Sequence, residues 1–89
     1  MTEYQILKTA INTYGAELQE ITAMEECAEL IQAISHKYRG REHNIAEEIA
    51  DVEIMLKQLK IINNCTDEVE KIHKQKIERL FNRICDVCL

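Results

Sequence analysis

Two short acidic words hold the side chains best suited to chemistry: Glu25-Glu26-Cys27-Ala28-Glu29 and Glu47-Glu48-Ile49-Ala50-Asp51. Each sets one acid three residues before another, Glu26 with Glu29 and Glu48 with Asp51. On a helix such residues are neighbours, roughly 5–6 Å apart at Cβ, so each word makes a pincer of carboxylates. Two facing pincers offer hard oxygen ligands to one or more divalent cations. In a chain with 16 Asp and Glu among 89 residues, acidic pairs at this spacing also arise as plain solvated faces. What separates these pairs is position. At about 100° per residue, Ile45, Ile49, Val52, Met55, Leu56, Leu59 and Ile62 fall on one side of the helix carrying the second word. Glu48 projects into the middle of that stripe and Asp51 sits on its edge. A carboxylate at a core position is costly unless it is paired or bound to metal. Around the first word the stripe is Ile21, Met24, Ala28, Ile31 and Ile34, bordered by Glu25 and Glu29, with Glu26 further round.

A second anomaly has the opposite sign. Late in the chain Val69, Ile72, Leu80, Ile84 and Val87 form a stripe with Ile77 beside it. Lys76 falls in its middle, and Arg79 and Arg83 lie along one edge. Lys76 either snorkels its ammonium to water or reaches the acidic cluster or a phosphate; both readings stay open. Other candidate groups carry less. Cys27, Cys65, Cys85 and Cys88 are expected to be reduced thiols in a chain without a secretion signal. Cys85 and Cys88 form a lone CxxC with no second pair to complete four zinc ligands. Cys27 reads as packing. His36, His43 and His73 show no metal-ligand spacing with one another, and Lys37, Arg39 and Arg41 read as solvated loop cations.

The elements that must position these groups are helices. Thr2 is a candidate N-cap for a first helix to about Tyr14, with Tyr4, Leu7, Ile11 and Tyr14 at helical spacing. Gly15 ends or kinks it. A second helix, from about Ala16 to Tyr38, carries the first word. Arg39 to Asn44 reads as a loop in which Gly40 stops one helix and Asn44 caps the next. A third helix, from about Ile45 to Ile62, carries the second word, and Ile54 and Ile61 give it a second apolar side that calls for a partner chain. Asn63 to Thr66 is a turn with Thr66 as N-cap. The fourth helix begins with acids where the macrodipole favours them and runs to about Cys85. No stretch alternates with period 2 for long, and no repeat of 20–50 residues is present. The expected architecture is an all-α, four-helix bundle with short connections.

Composition bounds the rest. Eighty-nine residues make one small domain over residues 1–89, and so short a chain gains much by oligomerising. There is no Pro, only two Gly, and aromatics are 4 %. A net charge of −5 argues against nucleic-acid binding, which needs a basic face. No apolar run approaches a membrane span, and no signal peptide is visible. The expected location is cytoplasmic.

The order Glu-Glu-x-x-Glu, a gap, then Glu-x-x-Asp resembles the metal-binding signature of the all-α nucleoside triphosphate pyrophosphohydrolases. That superfamily includes the MazG proteins, the dCTP pyrophosphatases and the dimeric dUTPases. Here 18 residues separate Glu29 from Glu48. Tyr14-Gly15, Gln19, Leu30 and the run Lys76-Ile77-Glu78-Arg79-Leu80 also resemble small MazG-like proteins of phages and Firmicutes, whereas the longer dUTPase pattern is not matched. The resemblance implies Glu26, Glu29, Glu48 and Asp51 as ligands of a divalent metal, with Mg²⁺ expected and Mn²⁺ an alternative. It implies Glu25 either as an acid supporting the metal ligands or as the catalytic group that orients water, Lys76 and Arg79 as phosphate contacts, and Gln19 near the nucleotide. It also implies a homodimer or homotetramer with sites near subunit interfaces.

The implied reaction is hydrolysis of a nucleoside triphosphate to the monophosphate and pyrophosphate. The cation would offset the repulsion between the acids and the triphosphate, and Lys76 and Arg79 would meet charge developing on the leaving pyrophosphate. Two other classes stay open: a non-catalytic helical interaction module, and a relative that binds metal or nucleotide without turnover.

Overall fold

The computed structural model describes residues 1–88, the side chain of Cys88 excepted. It consists of four α-helices: α1 (Glu3–Tyr14), α2 (Ala16–Tyr38), α3 (Ile45–Ile62) and α4 (Thr66–Cys88). Among the described residues there is no strand. The helix starts and stops have local causes. Thr2 closes a capping box, its Oγ1 accepting from the Gln5 amide at 3.1 Å while the Gln5 side chain accepts from the Thr2 amide at 2.8 Å. Only Gly15 separates α1 from α2, and its φ of 91° and ψ of 145° suit glycine. The ends of α2 and α3 share one device. The Arg41 amide reaches the His36 carbonyl and the Gly40 amide reaches Lys37; at α3 the Cys65 amide reaches Lys60 and the Asn64 amide reaches Ile61. These are the paired bonds of a Schellman stop, with Gly40 and Asn64 in the left-handed region it requires.

Two caps differ from expectation. Asn44 stands at the N-cap of α3 but makes no side-chain bond to the helix. Thr66 is already helical, and the Cys65 carbonyl takes the first bond of α4, from the Val69 amide at 2.9 Å. The fourth helix also runs three residues past Cys85. The Cys85–Cys88 pair lies partly outside the described residues, because the Cys88 side chain is not among them.

Packing is dominated by α2 against α3, with α1 laid across both. The buried residues are few: Leu7, Ile11, Ala23, Ala33 and Met55 are the apolar ones, joined by Gln19 and Gln58. Gln19 donates from Nε2 to Gln58 Oε1 at 2.7 Å, so these two amides satisfy each other across the α2–α3 contact. On α2 the buried side is the row Gln19, Ala23, Ala33, with Glu26 and Leu30 half-buried between them. This corrects the expected face. The large residues Ile21, Met24, Ile31 and Ile34 turn outward, with Met24 65 % and Ile31 69 % exposed. The reason is that α2 is apolar on opposite sides. Its small-residue side lets the α3 backbone approach closely, and its bulky side is left over.

The fourth helix does not close a bundle within the chain. It touches α3 alone, near the turn that joins them. All its described side chains are exposed except that of Cys85, which is half-buried. The chain is accordingly extended, 51 × 37 × 23 Å, with a radius of gyration of 16.4 Å. A compact domain of this length has about 12 Å.

Candidate metal centre

The α2–α3 contact carries the acids inward. Glu26 follows Ala23 by one turn on the buried side of α2, and Glu48 precedes Met55 by two turns on α3. One carboxylate oxygen from each of Glu26, Glu29 and Glu48 lies within 4.8 Å of the other two. Two oxygens across a divalent cation stand about 4–5 Å apart, so the spacing fits such an ion. Two further observations point the same way. Oε2 of Glu26 and Oε2 of Glu48 are both buried and neither has a hydrogen-bond partner. Orphaned buried acceptors are rare, and an ion or bound water is their usual explanation.

The electrostatics agree with the geometry. The Glu26 carboxyl is pushed above the ordinary range, first by lost hydration and then by the charges of Glu29, Asp51 and Glu48. Glu48 is pushed up in the same direction, again first by lost hydration and then by Glu29, Asp51 and Glu47. Four acids on two neighbouring helix turns repel one another, and no cationic side chain is paired with them. The single salt bridge among the described residues joins Lys57 to Glu3 at 3.1 Å, on exposed surface. A centre of this kind is poised to gain by binding positive charge.

The other expected site residues are placed as follows. Asp51 is half-buried one turn beyond Glu48, near enough to act on Glu26 and Glu48 but outside the closest trio. Glu25 is exposed beside the centre. Gln19 lies two turns, about 10 Å, before Glu26 along α2, with its amide engaged by Gln58. Lys76 and Arg79 are exposed on α4, which makes no contact with α2. Within one chain they are not brought to the acids.

The reading of the sequence missed a neighbour of the centre. A cleft of about 490 Å³ opens beside Glu29 and Glu48, walled by Gln32, His36, His43 and Asn44. Its size is in the range of small-molecule sites. His36 sits in the last turn of α2 and His43 just before α3, so the turn at Gly40 brings both to the rim of the same cleft. Neither histidine has a partner in a fixed-spacing motif; the only signal was their place on either side of the turn.

Compared with known proteins, the chain matches no family model, no curated protein and no solved structure.

Proposed function

We propose that this chain is a Mg²⁺-dependent nucleoside triphosphate pyrophosphohydrolase, active on nucleotides of the cytoplasmic pool. The observation that carries the reading is the pair of buried, unpartnered oxygens on Glu26 and Glu48, converging with Glu29 from two helices. The order of the two acidic words, which resembles that of the all-α pyrophosphohydrolases, supplies the reaction class. Glu26, Glu29, Glu48 and Asp51 hold the cation, with Mn²⁺ as a substitute. When bound, the cation supplies neutralisation of the triphosphate and Lewis acidity at phosphorus. In the reaction a water oxygen bonds to the α-phosphorus and the bond from that phosphorus to the bridging oxygen breaks. Pyrophosphate departs with the bonding pair, and the water proton passes to a carboxylate, a role we assign to Glu25. The cleft beside Glu29 and Glu48 has the volume for the nucleoside. Lys76 and Arg79 are the phosphate cations of this scheme, although α4 of the same chain does not reach the acids.

The test is pyrophosphate release from a panel of NTPs and dNTPs with Mg²⁺ or Mn²⁺. Glu48→Gln is expected to abolish release while leaving helicity intact. Turnover by Glu48→Gln at the parental rate would remove the assignment. A second reading, a non-catalytic helical interaction module, draws on the large apolar residues left exposed on α2 and α4. Thermal melting separates the two: an enzyme is stabilised by cation plus nucleotide, and a module of that kind melts at the same temperature with or without them.

A further inference from the structure

The chain exposes 7216 Å². A compact monomer of its mass, 10.4 kDa, exposes roughly 5,400 Å². The excess, about 1,800 Å², exceeds the ~800 Å² per partner of a standard protein interface. Among the described residues no large side chain is less than 2 % exposed, so the single copy has almost no closed core. Two surfaces account for much of this. One is the stripe on α4, where Ile72, Leu80 and Ile84 stand in water. The other is the outward side of α2, where Glu20, Met24, Cys27, Ala28 and Ile31 line a groove of about 660 Å³ that also reaches inward-facing Ala23 and Leu59 of α3.

These surfaces match in length and in charge. The stripe from Val69 to Ile84 spans about 22 Å and the outward row from Ile21 to Ile34 about 20 Å, at 1.5 Å per helical residue. At about 100° per residue, Glu17 and Glu20 fall on the outward side of α2, with Glu20 in the groove wall, and no cation of α2 lies between them and Lys37. Helix α4 carries five cations and five acids in all, but its apolar stripe holds Lys76 in the middle with Arg79 and Arg83 along one edge. Pairing α4 with α4 of another copy would set Lys76, in the middle of the stripe, and its flanking arginines against like charge. Pairing α2 with α2 would oppose glutamates to glutamates. Only the cross pairing joins opposite signs, and each chain holds one of each surface. Reciprocal exchange between two copies therefore closes on itself, as a two-fold dimer must.

We propose that this chain is a two-fold dimer in which α4 of each copy lies in the outward α2 groove of the other. The charges fix which faces pair, and the apolar stripes supply the stability. If the acids act as proposed above, the exchange also delivers Lys76 and Arg79 of one copy beside the acid-bearing helix of its partner. That last consequence alone rests on the functional reading.

The test uses the full chain in sedimentation equilibrium without cation or nucleotide, so its outcome is independent of the catalytic assignment. The parent is expected to be a dimer at micromolar concentration. Ile31→Asp in the groove and Leu80→Asp on the stripe alter exposed side chains, so each variant keeps its helical circular dichroism. Each is expected to raise the dissociation constant about tenfold or more. An equal mixture of the two is expected to recover heterodimer, because one donor stripe and one acceptor groove remain intact between them. A monomeric parent overturns the proposal. So does either variant staying as dimeric as the parent, or a mixture that stays monomeric.

Discussion

Glu26 and Glu48 are acids that the fold holds at a cost. Both carboxyls are raised above the ordinary value of 4.5, so the folded chain favours their protonated form. Their stabilising contribution is therefore fully present below about pH 4.5 and is lost as pH rises through the raised folded values. Without divalent cation, Glu26→Gln and Glu48→Gln are thus expected to melt at a higher temperature than the parent at pH 7. The gap should close as pH falls through the raised folded values toward 4.5, because the folded parent protonates first. Added Mg²⁺ should raise the parent's melting temperature and leave Glu48→Gln little changed, since a neutral amide is a poorer ligand for a hard cation. Scanning calorimetry in chelator and in Mg²⁺ reads all three. Equal melting of parent and variants at pH 7 in chelator would mean that the carboxylates are not in conflict.

At the scale of the helices, the α2–α3 contact depends on a few residues. Gln58→Ala leaves the Gln19 amide buried without its partner, at a cost of about 1–3 kcal/mol. Replacing both glutamines by leucine removes the two polar groups together and should cost much less. Denaturant unfolding of the single and double variants measures the difference. If the double variant also keeps pyrophosphate release, Gln19 is a structural residue and not a nucleotide contact. Met55→Ala, in the same layer, is expected to cost about 2–5 kcal/mol. The helices themselves were legible from the sequence, because Gly15, the Gly40 loop and the Asn63–Asn64 turn interrupt apolar periodicity plainly. Glu48 was legible too, as an acid in the middle of an apolar row. The inward face of α2 was not. Ile21, Met24 and Ile31 make the stronger stripe, yet the row of Ala23 and Ala33 faces α3, because small side chains permit the closer approach. That choice is what turns Glu26 inward, and no pattern of apolar residues along α2 alone encodes it. Lys76 misled in a related way. It does lie on the α4 stripe, but within one chain that stripe is bare.

At the scale of the whole molecule, few side chains are buried and the long fourth helix touches α3 alone. If the cross pairing holds, screening should weaken it. Between about 0.05 M and 0.5 M salt the Debye length falls from about 14 Å to about 4 Å, and the dimer dissociation constant is expected to rise several-fold, read by sedimentation. No change would assign the contact to apolar surface alone. Among the described residues no helix is long and apolar enough to cross a membrane. One thiol makes this arrangement convenient to follow. Cys27 is a free cysteine, half-buried in the wall of the α2 groove. If α4 of a second copy covers that wall, an alkylating reagent meets the thiol readily only when the copies part, so the rate of labelling should climb on dilution and serve as a clock for the fraction of solitary chains.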